Sequence, residues 1–491
     1  MQRTGVHALA GAAIGQKVLI FLFFLVLSRV LGVEKTGDFI WATGYAAIFG
    51  FFIDWGLSPA ITRHIAAHKS GGKDPVVVAS WSWRIVWSCI TYVLIVGSYG
   101  LLGAFVMHGG EYFLTMGRIW SWERFIYVII AGTAVVGDSI AIWAAAVWRG
   151  KHFLYEEAIS GFVGQLLLVS IGSLWLLLGG GLRGVLVWYS ITSWFQALWL
   201  LGRLWKSGNF IPRLIFNFTQ IRTLLQTNFG MIVAGGSMRI YNYADTLAVD
   251  AIAGTTQLGL YGLANKIILA IQFLPHTIAA KYFARLSALW HKGEKVSMRR
   301  EYDKFLYAVI TIGSIGGSSI ICVSPILFSL VWPDFKEALP MMFILAWAVP
   351  CIFANFALGS LLHAIQRSGW VAAAIIVSLI LNLSLVFLLV PYYGGIGAAW
   401  AALLATFVLT ALYAFISYTI IYEIPHTPFA WHSLLLLIIF WYVVSYICAI
   451  FLPPLISLFA GMGSILITFF LSGIWKKVWN SLIDSDEQLY L

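Results

Sequence analysis

One feature recurs from end to end of this sequence: apolar stretches long enough to cross a lipid bilayer. A hydrocarbon core about 30 Å thick requires about 20 predominantly apolar residues in helical form. About fourteen such stretches follow one another, near residues 8–31, 39–59, 76–104, 125–148, 158–178, 183–202, 223–252, 258–280, 305–331, 338–363, 369–390, 395–421, 429–451 and 455–475. In lipid the backbone must satisfy its own hydrogen bonds, so each stretch is expected to be a helix. Pro275 falls inside span 8, and Pro453-Pro454 marks the last turn. Composition agrees: of 491 residues, 61% are hydrophobic and 10% charged, against about 25% charged in soluble domains. Too few charges remain for a water-exposed surface, which excludes soluble enzymes, disordered chains and fibrous proteins. The expected fold is an all-α polytopic membrane protein with about 14 transmembrane helices.

The basic residues set the orientation. Of 30 Lys and Arg, twenty lie at the termini or in loops after even-numbered spans, chiefly Arg63/Lys69/Lys73, Arg203/Lys206/Arg213/Arg222 and the run from Lys281 to Lys304. Six lie in loops after odd-numbered spans: Arg29, Lys35, Arg118, Arg124, Arg183 and Lys336. The positive-inside rule therefore places both termini in the cytoplasm. The net charge of +10 reads as basic loops beside anionic membrane lipid, with no need for nucleic acid. The N-terminal apolar run ends at Ser28-Arg29 without a small-residue cleavage pattern, so it is expected to be the first span. Cys89, Cys322, Cys351 and Cys448 are far apart and form no metal or disulfide framework. Gly72-Lys73 and Gly150-Lys151 lack the earlier glycine of a phosphate-cradling loop. Neither a metal, another cofactor nor a catalytic residue is expected.

The chain also resembles itself. Leu31-Gly-Val-Glu-Lys-Thr-Gly-Asp-Phe39 is similar to Ala253-Gly-Thr-Thr-Gln-Leu-Gly-Leu-Tyr261. An offset of 222 residues superposes Gly32 on Gly254, Gly37 on Gly259, Arg63 on Arg285 and Lys17 on Arg239. Gly181-Leu-Arg-Gly184 and Gly394-Gly-Ile-Gly397 open spans 6 and 12 alike. Spans 1–6 and 7–12 thus read as two parallel-repeat six-helix bundles, with two C-terminal helices appended. The expected division is 1–203, a linker at 204–222, 223–421, and 422–491 for the appended helices and tail.

Several motifs resemble a known family. Ser28-Arg-Val-Leu-Gly32, Gly37-Asp-Phe39, Asp54-Trp-Gly-Leu-Ser58 and Arg63-His-Ile-Ala66 are similar to the opening spans of polysaccharide transporters in the multidrug/oligosaccharidyl-lipid/polysaccharide superfamily. Gly259-Leu-Tyr-Gly-Leu-Ala-Asn-Lys266 resembles the start of their second bundle. Trp332-Pro-Asp-Phe335 with Ala338-Leu-Pro340 resembles the connection before span 10, and Val390-Pro-Tyr-Tyr-Gly-Gly-Ile-Gly-Ala-Ala399 the approach to span 12. The resemblance covers roughly residues 8–421. It implies a flippase of the O-antigen (Wzx-like) type, moving undecaprenyl-diphosphate-linked oligosaccharide from the cytoplasmic to the outer leaflet of a bacterial inner membrane. It implies as partners the polyprenyl-diphosphate-linked glycan, membrane lipid and proteins of polysaccharide assembly. Lipid II flippases and the MATE drug exporters are related branches.

Ionisable residues inside spans cost about 2.5–3.5 kcal/mol each on insertion scales and usually face a wet cavity or a partner. Lys17 and Arg239 each precede the matched glycine by ~22 Å of helix, in the inner-leaflet half, where they could face each other across one cavity and hold a diphosphate. Lys17 could instead snorkel to the interface. Asn228, Gly235, Arg239, Asn242, Thr246 and Asp250 form one polar stripe on span 7, lining either a cavity or a helix–helix contact. Lys266, in the outer half of span 8, is a candidate headgroup ligand or a structural ion pair. The candidate substrate-binding residues are thus Lys17, Asn228, Arg239, Asn242 and Lys266. Arg84 and Asp138 lie at similar depth and are expected to neutralise each other; with Asp245 and Asp250 they are the gating or ion-coupling candidates. A cation-coupled drug exporter would use these acids. A membrane polymerase or glycosyltransferase would need a larger exterior loop than the roughly 20 residues near 105–124.

Overall fold

The computed structural model describes residues 2–54, 57–68, 74–108, 120–208, 214, 219, 222, 226, 229–422, 424, 431–476 and 478–479. Among them the elements are helices, with no strand. The protein is an all-α, multi-pass membrane protein. It divides into two compact units, Met1–Gly259 and Leu260–Leu491.

The first unit opens with α1 (Gln2–Phe49), 48 residues or ~72 Å of helix, more than twice a hydrocarbon core. The chain breaks it at Gly32, where φ is 73° and ψ −176°. A side chain rarely tolerates that conformation. The short helices α2 (Phe51–Asp54) and α3 (Leu57–His68) lead to α4 (Pro75–His108), α5 (Trp122–Gly150), α6 (Leu154–Leu167), a π-helical turn Leu168–Gly172, α7 (Ser173–Leu177), α8 (Leu182–Lys206) and α9 (Phe229–Ala253). Gly254, φ 88°, separates α9 from α10 (Thr255–Ala270). Both members of the Gly32/Gly254 repeat pair thus take the left-handed conformation. At the Gly181 repeat position the positive φ falls instead on Gly179, while Gly181 itself caps α8 in an extended conformation.

The centre of this unit is α5 against α8. A Cβ at Gly137 would lie 3.0 Å from the Trp194 backbone nitrogen, so the two helices meet almost backbone to backbone. Thr133 and Ser190 share a hydrogen bond of 2.6 Å across the same seam. Trp143 and Trp148 are buried here, donating to the Ser80 hydroxyl at 3.0 Å and the Leu200 carbonyl at 3.3 Å. Their indoles are packing groups with their one donor satisfied.

The second unit continues through α11 (Phe273–His291), α12 (Lys295–Leu330), a 3-10 turn Pro333–Ala338, α13 (Leu339–Ala346), α14 (Val349–Ala364), α15 (Ser368–Ile421), α16 (Trp431–Phe451) and α17 (Pro454–Leu471). The helix breaks at residues 271–272, just before Pro275 in the first turn of α11, where a proline costs no intrahelical bond. α15 has 54 residues and reverses at Gly394, φ 55° and ψ −136°. Its halves then pack on each other, with Ser378 donating to the Ala405 carbonyl at 2.6 Å. The appended helices belong to this unit. Tyr442 of α16 donates to the Ala346 carbonyl at 2.8 Å, and Trp441 to Thr468 of α17 at 2.7 Å.

Among the described residues ten helices are long and apolar enough to cross a membrane, or eleven with Pro333–Ala346 and Val349–Ala364 as one bent span. That tally is below about fourteen because α1 and α15 each join two spans across a glycine, and because α9 is less apolar, carrying Arg239, Asp245 and Asp250. The radial pattern is that of a lipid-embedded protein. Val377, Ile380, Phe387 and Leu388 of α15 are exposed, whereas Ser378 and Asn382 on the same helix are buried. Apolar side chains face outward and polar ones face each other.

Candidate functional site

Two constellations of buried charge occur in the first unit. The first surrounds a cavity of about 120 Å³ lined by Thr43, Gly50, Arg84, Asp138, Tyr189, Arg239 and Tyr243, with apolar residues between them. Arg84 comes from α4, Asp138 from the middle of α5, Tyr189 from α8, and Arg239 and Tyr243, one helical turn apart, from α9.

Arg84 is fully buried. Its guanidinium donates to Ser58 at 2.7 Å and to Ser139 at 3.3 Å. Asp138, adjacent to Ser139, lines the same cavity as Arg84 and Arg239. The charges of span 3 and span 4 thus line one cavity, together with Arg239 from α9. Arg239 is half-buried, and a Cβ at Gly50 would collide with its Nη1. The absence of a side chain at residue 50 is what leaves room for the guanidinium.

The second constellation lies where α5 begins. Arg124 donates to Asp250 at 2.7 and 2.9 Å, a bidentate grip, and to Asp38 at 3.2 Å. It also donates to Thr255 at 2.5 Å and lies 4.7 Å from the Trp41 ring centre, a cation–π distance. Lys35 joins at the edge, 3.5 Å from Asp38 and 3.3 Å from Glu123. One guanidinium thereby ties α1, α5, α9 and α10. Beside it the two glycines of the repeat meet. A Cβ on Gly37 would collide with the Thr255 carbonyl and lie 3.1 Å from the Gly259 nitrogen, and one on Gly259 would collide with the Val33 carbonyl.

The remaining predicted residues are dispersed. Lys17 is exposed on α1 and Asn242 on α9, and neither lines the described cavity. Lys266 is half-buried on α10, in the second unit. Asp245 is buried and accepts from the Thr246 backbone nitrogen at 2.7 Å and its hydroxyl at 3.3 Å. Asn228 lies outside the described residues. Sequence reasoning missed Arg124 as the common partner of Asp38 and Asp250, because it lies 86 and 126 positions from them. It also missed Tyr189 and Tyr243, whose aromatic character alone does not distinguish cavity from belt.

The family described as "Polysaccharide biosynthesis protein" matches residues 3–284. The chain belongs to that family. It is 22% identical over 444 residues to a probable low-salt glycan biosynthesis flippase, Agl15, of Haloferax volcanii, covering 90% of this chain and 89% of that protein. Its fold matches the lipid II flippase MurJ in an inward closed conformation, with a TM-score of 0.69, 16% identity, and 96% and 99% of the two chains covered. It also matches an inward-facing multidrug resistance MATE family transporter, with a TM-score of 0.60, 14% identity, and 84% and 94% covered. At these identities the two structures establish a common fold.

Proposed function

We propose that this protein is a flippase that carries undecaprenyl-diphosphate-linked oligosaccharide, an O-antigen or related surface-polysaccharide unit, from the cytoplasmic to the outer leaflet. The observation that carries the reading is the pair of arginines, Arg84 and Arg239, at one cavity inside an apolar helical unit. Cations at such depth are costly unless they serve a partner, and their sign suits an anionic cargo. A diphosphate is that cargo's most strongly hydrated part, and replacing its water is the main barrier to unaided flipping. Arg239 would grip the diphosphate in two parallel bonds, with Lys17, Asn228, Asn242 and Lys266 contacting the cargo at other stages. The full-length likeness to a glycan flippase supports the same cargo class.

In this reading two bundles, 1–203 and 223–421, alternate access, with 422–491 appended, and both termini are cytoplasmic. Arg124–Asp250 then crosses from the first bundle to the second and acts as a latch on the exterior end. Asp138, Asp245 and Arg84 serve gating or coupling. Proteins of polysaccharide assembly would supply and consume the lipid-linked unit. Substitution Arg239→Ala should lower surface polysaccharide without lowering protein abundance; normal glycan levels in that variant would remove Arg239 from the mechanism.

The carboxylate of Asp138 in the same cavity favours a second reading, cation-coupled drug export on the MATE-like fold. Drug sensitivity of cells lacking the protein, with unchanged lipid-linked glycans, would select it.

A further inference from the structure

Arg239 shares its cavity with a carboxyl group, Asp138. Asp138 lies near the middle of α5, ~18 Å of helix from the Gly150 end, so its carboxylate is held at membrane depth. The groups facing it are Arg84 from α4, Tyr189 and Ser193 from α8, and Arg239 and Tyr243 from α9, with the uncharged Thr43 from α1. Arg84 is directed to Ser58 and Ser139. Arg239 and the Asp138 carboxylate line one cavity of about 120 Å³. An anionic cargo reaching Arg239 must therefore contend with a carboxylate that occupies the same place in the charge balance.

We propose that Asp138 is the resident anion of the Arg239 site: a diphosphate group that engages Arg239 displaces Asp138, and the displaced carboxylate takes up one proton from the aqueous phase. This deepens the proposed function and rests on its reading of Arg239 as the diphosphate ligand. The physical reason is charge balance in a medium of low dielectric. With Arg239 turned to the cargo, an ionised Asp138 would stand near a second anion with Arg84 as the one remaining cation among the described lining residues, and protonation relieves that cost. Cargo binding and proton uptake are then thermodynamically linked, each favouring the other to the same degree.

The test is calorimetric titration of farnesyl diphosphate into the full-length protein in lipid nanodiscs. It is run in two buffers of different ionisation enthalpy, at several pH values, for the wild type, Asp138→Asn and Arg239→Ala. The wild type should take up protons on binding beyond the amount seen for Asp138→Asn, and its affinity should fall as the pH rises. Asp138→Asn should bind about tenfold more tightly, because the competing charge in the same cavity is gone, and it should show only the proton exchange of the ligand itself. Asp138→Ser provides the same comparison if the Asn variant does not fold. Equal affinity and equal proton exchange in wild type and variant, with binding lost in Arg239→Ala, would overturn the resident-anion proposal and leave Arg239 as the diphosphate ligand. Unchanged affinity in Arg239→Ala, or no binding by the wild type, would overturn the diphosphate reading and this proposal with it.

Discussion

Arg124 grips Asp250 through two hydrogen bonds of 2.7 and 2.9 Å, joining the start of α5 to the last turn of α9. The pair is buried, with 7% and 3% of the two side chains exposed. Asp38 shares the same guanidinium, with Lys35 3.5 Å away at the edge, so two carboxylates lean on this arginine. Removing the cation from such a cluster leaves buried charge without compensation, which typically costs about 3–5 kcal/mol. Thermal unfolding in detergent should therefore show Arg124→Ala strongly destabilised, and Asp250→Asn less so because Asp38 remains to neutralise the arginine. Equal and small effects in both would mean that the cluster contributes little to holding α1, α5 and α9 together.

Gly37 and Gly259 form a second junction in the same place. Each occupies a position where a methyl group would overlap a backbone oxygen, of Thr255 and Val33 respectively. Backbone cannot step aside as a flexible side chain can. Gly37→Ala and Gly259→Ala are each predicted to cost about 1–3 kcal/mol, read as a lower melting temperature of the purified protein. By contrast Gly235→Ala, where nothing lies within 4 Å of the added carbon, should leave the melting temperature nearly unchanged.

Arg84 offers a test of how the cavity is built. Its hydrogen bonds to Ser58 and Ser139 use two different nitrogens of the planar guanidinium. Lysine presents a single charged point and does not reproduce that fork. Arg84→Lys should therefore lower both the melting temperature and the export of glycan. Ser58→Ala, which removes one bond to a charged donor, should cost about 1.5–3 kcal/mol. A Lys variant with wild-type melting and wild-type export would show that only the charge matters at this position.

A third ion cluster holds one end of the second unit. Glu301 lies 3.3 Å from Arg285 and 3.6 Å from Lys304, and Arg299 donates to Asp303 at 2.9 and 3.0 Å and to the Ile421 carbonyl at 3.2 Å. The basic run from Lys281 to Lys304 is thus partly an internal clamp on α11, α12 and the end of α15, beyond its role as a charged loop. Glu301→Gln should lower the melting temperature, whereas replacement of the exposed Lys292 should not. Equal effects would return the whole run to a solvated surface.

The helices were legible in the sequence because a bilayer imposes a minimum length and apolarity that few other environments demand. The break at Gly32 and its partner at Gly254 were legible from the repeat, and the left-handed φ at both explains why glycine stands there. Intramembrane charges were legible one at a time, since Arg84, Asp138 and Arg239 each interrupt an apolar run. Their companions were not. Depth along a helix follows from counting residues, but the direction a side chain faces depends on how each helix is rotated in its bundle. Arg84 and Asp138 match in depth and line one cavity, but that Arg84 reaches Ser58 and Ser139, and that Arg239 joins them, could not be counted from depth. Arg124 was hidden for a related reason. It is the third residue of α5, so it counted as a loop charge although it turns inward to Asp250.

The most direct test of the central claim is mass spectrometry of polyprenyl-linked glycans in cells with and without the protein, combined with a probe of which leaflet they occupy. Loss of the protein should trap complete, lipid-linked repeat units on the cytoplasmic face. Lipid-linked glycans unchanged in amount and leaflet would contradict the account.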